Sequence, residues 1–511
     1  MSTIWVIAAA VFGAIVGSFL NVVIFRLPRG LSVSEPRWSF CPHCQSRIRF
    51  RDNIPILGWL WLRGRCRDCS APIGIVYPIV EAVAAFLFVA VVDAMFIGKV
   101  WPLIGDPESD WPAAFGFISL FAVLLAIAAM DIESYAVDVR VLVFGMFVGV
   151  CLTAVWFVTA DPLGNHVAEN AVHSASRPGS PLVLRSGLGV QPATPPTGVL
   201  SAPFALIASA MGVSWWLWET LATQASLGAR AAADVNPDST SAGEEAEDVS
   251  DAPTDLNAEN TPFNPMPVFL MVLVVLGYAI WLIVWPHIGL TGLVPAPTER
   301  GLLGLGLLMA ILLFASVIHR ESDRQIIEEI EAERLTARRV AMGEARSLLP
   351  AVIAGLGVFL YLRQTGRLGS DWSDFLGDSL AFSATGRAAA GALTALGSLV
   401  WAAAFGWFVR IAGTLGFGKE AYGSGDIFIM AAMGAVMGVW GLVFGFFLAA
   451  LLAIIGVLAM SFWKSSRAVP FGPWLAMGAF ATLWLHADLL RFFEPIGTML
   501  LSILAGVPAA I

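Results

Sequence analysis

Two aspartates and four cysteines are the residues of this sequence whose types and spacing could do chemistry. Asp426 closes the small-residue turn Gly423-Ser424-Gly425-Asp426, at the mouth of a long apolar segment that begins with Ile427. Asp131 directly follows another uncharged run, which ends Ala128-Ala129-Met130. A carboxylate at the edge of a membrane helix is costly to desolvate and is a functional candidate by default. On position alone, Asp426 reads equally as an interfacial residue capping a helix N-terminus, its charge meeting the positive end of the dipole. Packed together, two such carboxylates could not both ionise, so they would share a proton and titrate as a unit. One would act as general base on a water, the other as general acid toward the carbonyl or leaving amine. That is peptide hydrolysis without a metal or a covalent intermediate. Gly423 and Gly425 ahead of Asp426 would let an extended substrate backbone approach closely. A nucleophilic or metallohydrolase site finds no support: the chain has no G-x-S-x-G, no H-E-x-x-H and only six scattered His.

The cysteines form two C-x2-C knuckles, Cys41-Pro-His-Cys44 and Cys66-Arg-Asp-Cys69. At that separation four thiolates can surround Zn2+ tetrahedrally, at about 2.3 Å each. The alternatives are two disulfides or unliganded thiols; a two-residue gap in a reducing compartment favours the metal. A closed set of four sulfurs leaves no open position, so the zinc is expected to be structural, and His43 is left outside the set. Cys151 stands alone on an apolar segment and reads as core packing.

The elements that must position these groups are membrane helices. The chain is 58% apolar and 13% charged, against about a quarter charged in soluble proteins. Many windows are long and apolar enough to cross a bilayer, and such spans must be helical because lipid offers the backbone no partner. The expected fold class is an all-α polytopic membrane bundle with a small four-cysteine zinc-binding domain and a large insertion carrying extra spans. A first transmembrane helix occupies 1–25, without the flanks of a cleaved signal peptide. The zinc-binding domain, 26–75, holds nine Arg against Glu35, Asp52 and Asp68, so this short loop is expected in the cytoplasm. Residues 76–160 carry helices at about 76–96, 113–130 and 141–160, with the first candidate Asp. Glu81 and Asp93 lie near the ends of the first of these and read as interfacially solvated, with Glu81 a minor candidate for the site. Asp138 lies two helical turns beyond Asp131, so an unbroken helix would put both on one face.

The insertion, 161–387, opens with a Pro-, Gly- and Ser-rich loop and a Trp-rich apolar segment at 203–218. Residues 231–265 contain nine acids and no Lys or Arg, the composition of a disordered linker rather than a binding surface. Helices follow at about 266–287 and 302–318, then a charged surface helix over 320–347 and a short apolar stretch at 349–362. The C-terminal part, 388–511, holds an apolar helix at 388–411, the G-x-G-D turn and about four further spans. Gly434/Gly438 and Gly441/Gly445 are small-residue pairs suited to close helix approach. No internal repeat is read. If all six apolar segments between Asp131 and Asp426 cross the bilayer, both carboxylates emerge on the cytoplasmic side, so 203–218 and 349–362 should both span or both fail. The net charge of −9 says little about partners, and nucleic acid is not expected among them.

Taken in order, these motifs resemble those of type IV prepilin leader peptidases, bacterial intramembrane aspartic peptidases of the G-x-G-D class. Five stretches carry the resemblance: Gly17-Ser-Phe-Leu-Asn21 with Arg26-Leu-Pro28; the paired cysteines with Asn53-Ile-Pro55 between them and Tyr77-Pro-Ile-Val-Glu81 after; Asp131-Ile-Glu133 with Asp138; Gly418-Lys-Glu with Gly423-Ser-Gly-Asp426; and Pro470-Phe-Gly-Pro473. The resemblance implies that Asp131 and Asp426 are catalytic and that Cys41, Cys44, Cys66 and Cys69 hold zinc. It implies prepilin or pseudopilin precursors as substrates, with a basic leader, a Gly at the cleavage point and an apolar helix beginning with an aromatic residue. It also implies cleavage at the cytoplasmic face of the bacterial inner membrane. Many members N-methylate the new terminus from S-adenosylmethionine; the chain shows no nucleotide fingerprint, and Gly64 is the nearest match to a glycine tied to that step, offset by Arg65. Departures are Val137 where the family has Pro, Phe428 where it has Lys, and the insertion itself. The reading from another class is a polytopic transporter or zinc-knuckle scaffold without peptidase activity, whose carboxylates would be expected near mid-membrane on broken helices. A third is a family member that lost activity and kept a docking role.

Overall fold

The computed structural model describes residues 2–101, 104–134, 138–160, 205–215, 297–318, 337–367, 383–461 and 470–505. These form an all-α, multi-pass membrane fold with a small four-cysteine module between its first two long helices. α1 (Ser2–Arg26) and α3 (Val76–Val92) are predominantly apolar, without a polar face, and pack backbone to backbone. A Cβ on Gly13 would lie 2.7 Å from the Ala84 carbonyl oxygen, and one on Gly17 2.7 Å from Glu81 Cα. Any side chain at either position would force the helices apart, and small residues at helix contacts are how apolar helices associate in lipid. Between them lie a single 3-10 turn, Phe50–Asn53, and the short α2 (Leu57–Trp61).

α3 ends in a π turn, Asp93–Ile97, and α4 (Pro107–Ser134) follows. The start of α4 is tied to the end of α5 (Val139–Thr159), where Trp156 Nε1 donates to Asp110 at 3.0 Å. α4 does not run on through Asp138. Instead Asp138 is the N-cap of α5, its carboxylate accepting from the Arg140 backbone N–H at 2.9 Å. Capping residues favour extended backbone and satisfy the orphan amides of the first turn, so the two-turn spacing from Asp131 does not make a shared helix face. Arg140 holds the Asp138 carboxyl below the usual carboxylate range by hydrogen bonding.

Of the insertion, the described residues include α6 (Ala205–Trp215), α7 (Pro297–Ile318) and α8 (Ala337–Gln364). α8 passes through Pro350 without ending, so the described end of the charged stretch, 337–347, and the apolar stretch expected as a separate element share one helix. α7 is packed into the bundle: Cβ atoms on Gly301 and Gly304 would strike the Trp484, Phe86 and Phe480 rings. At its start Arg300 makes a buried ion pair with Asp93, 2.9 Å, on the π turn of α3. Asp93 is therefore buried against a cation from the insertion, and Glu81 is buried as well; neither has the interfacial solvation expected from its distance to a helix end. Cys151 goes the other way, exposed on α5 rather than packed in the core.

α9 (Ala384–Phe417) is capped by Ser383 and closes on Gly418 in the left-handed conformation, φ 70°. α10 (Ser424–Ser461) breaks at Gly438 (φ 73°, ψ 178°), and α11 (Gly472–Ala505) follows. Among the described residues the C-terminal part thus has two long helices after the G-x-G-D turn, one of them broken, where about four shorter spans were expected. Gly434 and Gly445 do mediate close approach, against Ser398–Ala402 of α9 and Gly478 of α11. Gly438 forms the break, and Gly441 faces Met437 of its own helix. Seven described helices (α1, α3, α4, α5, α8, α9 and α10) are long and apolar enough to cross a membrane. The loop at 161–200, the acidic linker, the helix at 266–287 and Val137 lie outside the described residues, and with them the span count between the two aspartates.

Candidate active site and metal centre

The four-cysteine module is built from one backbone motif used twice. In the first knuckle the Cys41 N–H donates to the Ser46 carbonyl (3.0 Å) and the Gln45 N–H to the Cys41 carbonyl (2.9 Å); in the second, Cys66 to Ala71 (2.8 Å) and Ser70 to Cys66 (3.0 Å). Gln45 and Ser70 both take positive φ, 58° and 59°, and each knuckle is flanked by one antiparallel bridge, Phe40 to Arg47 and Arg65 to Pro72. This backbone repeat escaped the sequence reading because only the cysteines are shared between the two copies. The amide-lined turns bring all four Sγ atoms within 4.8 Å of one another, with Cys41 to Cys69 at 3.8 Å and Cys44 to Cys66 at 4.0 Å. Sulfurs bound tetrahedrally at about 2.3 Å from zinc lie about 3.8 Å apart, so the cluster fits that ion.

Two contacts fix the module to the helices, and a third braces it internally. Arg26, buried at the end of α1, donates from Nη1 to the carbonyls of Ser32, Val33 and Pro36 at 3.0–3.2 Å. Arg67 of the second knuckle forks onto Asp52 at 2.7 and 2.5 Å, and its guanidinium holds the Asp52 carboxyl below the usual range. Glu81 of α3 accepts from the Ile56 N–H at 2.6 Å, anchoring the Asn53-Ile-Pro55 segment; Glu81 serves this junction. Gly64 lies here too. After α2, Arg63 N–H donates to the Leu60 carbonyl and Gly64 N–H to the Trp59 carbonyl, the paired bonds of a Schellman ending. With φ 67°, Gly64 turns the chain into the second knuckle.

The two aspartates come from helices far apart in the sequence. Asp131 is buried near the end of α4, and the Gly472 N–H, first of α11, donates to its Oδ2 at 3.2 Å. A helix N-terminus aims free amides and positive potential at an anion. A Cβ on Gly472 would fall 2.6 Å from that same oxygen and 3.5 Å from Ile429, one turn along α10 from Asp426. Asp426 lies in the first turn of α10, half-buried, and its carboxylate accepts from the Gly423 backbone, reaching back to the capping residue as in a capping box. Asp426 thus stands at the helix N-terminus, where the capping reading put it. A Cβ on Gly423 would stand 3.1 Å from Asp426 Oδ2, so this glycine makes room for the carboxylate. Asp131 lies close enough for its charge to be felt at Asp426.

Residues with no signal as site members hold this pair together. Tyr422, buried in the turn before Asp426, donates its hydroxyl to Met430 Sδ (3.0 Å) and packs on Phe471 with ring centroids 5.6 Å apart. The Pro470-Phe-Gly-Pro473 stretch thus touches both aspartate segments, through Phe471 on one side and Gly472 on the other. Its motif was visible in the sequence, but its contact partners were not. Beside Asp131 lies a mostly apolar cavity of about 360 Å3, lined by Ala128, Ala129 and Ile132 of α4, Pro473 and Met477 of α11, and Leu308, Ile311 and Leu312 of α7, with Asn21, Tyr77 and Glu133 as polar wall.

Residues 11–95 match the bacterial peptidase A24 N-terminal domain. Similar proteins include the type 4 prepilin-like proteins leader peptide-processing enzyme of Escherichia coli O78:H11, 41% identical over 145 residues (25% of this chain, 49% of that protein). Two prepilin leader peptidase/N-methyltransferases also match, from Aeromonas hydrophila (42% over 138 residues; 22% and 47%) and Myxococcus xanthus (36% over 166 residues; 32% and 43%). The chain spans about half the length of the curated relatives it matches. No solved structure matches it. The stretch that carries most of its first helix and its four-cysteine module is thus similar to the N-terminal domain of bacterial A24 peptidases, and the chain is similar in part to bacterial prepilin leader peptidases.

Proposed function

We propose that the chain is a prepilin peptidase that cleaves the leader of pilin-like or pseudopilin precursors with the pair Asp131 and Asp426. The observation that carries this reading is the meeting of Asp131, the N-terminus of α11 and the G-x-G-D turn of α10 at one place. Two carboxylates sharing a proton supply a base for water and an acid for the leaving amine. The Gly472 amide fixes the Asp131 carboxylate, and the Gly423 backbone fixes that of Asp426. The exposed Gly423 leaves the turn free of side chains on the approach to Asp426. The cavity beside Asp131 offers apolar walls to the part of a precursor that follows the scissile bond.

The site is read at the cytoplasmic face of the bacterial inner membrane, because the module that joins α1 to α3 carries nine Arg. Zinc held by Cys41, Cys44, Cys66 and Cys69 would close the two knuckles on each other and supply structure rather than chemistry. N-methylation from S-adenosylmethionine rests on the names of the relatives, and Gly64 has a backbone role that accounts for it without that activity. A transporter or scaffold is less well supported, since both carboxylates lie at helix ends and Pro470-Phe-Gly-Pro473 touches both of their segments. The test is cleavage of a pilin-like precursor by the reconstituted full chain. Asp131→Asn and Asp426→Asn should each remove it while the protein stays inserted; normal cleavage by either variant rejects the reading.

A further inference from the structure

We propose that Arg410 of α9 is the positioning residue for Asp426, and that Glu344, on the inserted helix α8, holds Arg410 in place. Arg410 lies two turns before the end of α9 and is only 8% exposed, yet every side of its guanidinium is occupied. Nε donates to both Glu344 oxygens at 3.2 and 3.1 Å, and Nη2 to Glu344 Oε1 at 3.0 Å. Nη1 donates to the Glu420 carboxylate and to the backbone carbonyl of Tyr422. Tyr422 immediately precedes Gly423, whose backbone holds the Asp426 carboxylate. One side chain thus clamps the α9–α10 loop from inside, with a second pin where the Ala421 N–H donates to Thr414 Oγ1 at 3.2 Å. Arg410 also lies close enough for its charge to be felt at Asp426.

Glu344 belongs to the segment that separates the two aspartate motifs, and it supplies half of the clamp. Arg338, further back on α8, reaches the same loop: a Cβ on Gly418 would lie 3.2 Å from its Nη2. A buried guanidinium between two carboxylates is compensated, whereas removing one leaves a charge without its counter-ion. Lysine cannot replace it, because a point charge lacks the planar fork that grips Glu344 while still reaching the Tyr422 carbonyl. The insertion is therefore wired to the catalytic turn.

The activity arm of the test rests on the peptidase reading; a second arm does not. Full-length protein in nanodiscs is compared as wild type, Arg410→Ala, Arg410→Lys, Glu344→Ala and Glu344→Asp. Displacement of a reacting group by about 1 Å can cost about a hundredfold, so Arg410→Ala is expected to lose about that much kcat at nearly unchanged KM, with Arg410→Lys recovering only part. Glu344→Ala should lose kcat in the same manner but less, and Glu344→Asp should restore most of it. Amide hydrogen exchange over residues 421–426 should speed up in both alanine variants. An unchanged kcat in Glu344→Ala, a change confined to KM, or unaltered exchange across 421–426 would overturn the proposal. Wild type that cleaves no precursor would remove the peptidase reading while the exchange arm still decides the positioning role. Should Arg410→Ala fail to fold, the Glu344→Ala and Glu344→Asp pair decides it.

Discussion

In the zinc-knuckle module all four sulfurs come from residues 41–69, and each knuckle closes through hydrogen bonds to its own neighbours. At the aspartate site the two carboxylates come from α4 and α10, the first accepting from the start of α11 and the second from the turn that precedes α10. The first is local in sequence, and its four sulfurs are spaced as a metal ion would need them. The second is distant in sequence and depends on helix packing, glycine by glycine, to bring its parts within reach. The two regions should therefore fail differently: the module by losing its metal with the bundle intact, the site by small displacements that leave both metal and fold in place.

The largest expected effect is on the module. Replacing Cys44 and Cys69 by Ser should abolish a content of about one zinc per chain, and with it order across residues 41–73, because structural zinc contributes about 10–16 kcal/mol of apparent binding free energy. Metal analysis and hydrogen exchange read this directly; an ordered, metal-free module would contradict the assignment. The next effect belongs to the site. Gly472→Ala would place a Cβ 2.6 Å from Asp131 Oδ2, so cleavage should fall by roughly ten- to a hundredfold with zinc content unchanged. Full activity in that variant would show that α11 does not fix the carboxylate.

Smaller again, Gly64→Ala forces an L side chain into a left-handed turn, which costs about 1–2 kcal/mol. The loss should appear as lower stability of the module rather than of the bundle, read by exchange of the amides around Cys66. The smallest effect is electrostatic. Arg67 holds the folded-state pKa of Asp52 below its unfolded value. The pair's contribution is thus present above about pH 4 and is lost as pH falls through the folded value. Exchange of the second knuckle measured down through that range should show a larger loss in wild type than in Arg67→Ala, beyond the loss common to both as the thiolates protonate; identical profiles would mean that the fork does not stabilise the module.

What could be read without coordinates follows the same division. The C-x2-C spacing announced the module, since four ligands in a short stretch have little freedom in where they meet, but the backbone repeat stayed hidden because Gln45 and Ser70 share a conformation and no side-chain chemistry. The long apolar helices were legible from composition. Their ends were not: the charged start of α8 and its apolar remainder look like different elements until Pro350 proves compatible with one helix. Asp131 and Asp426 stood out as carboxylates against apolar runs. Gly472, Tyr422, Arg410 and Glu344 did not, because each looks ordinary in its own segment and is singled out only by a contact outside it, from Tyr422 on Phe471 to Gly472 on Asp131, 341 residues away. Asp93 and Glu81 were misread for the same reason, their partners Arg300 and Ile56 being invisible to a local reading.

The central claim is that Asp131 and Asp426 work as one unit. Precursor cleavage by the reconstituted full chain, measured for Asp131→Asn, Asp426→Asn and the double variant, tests it most directly. Residues that act together are non-additive, so the account predicts that either single change removes essentially all cleavage and that the second costs nothing further. Two partial losses that multiply in the double variant would contradict it.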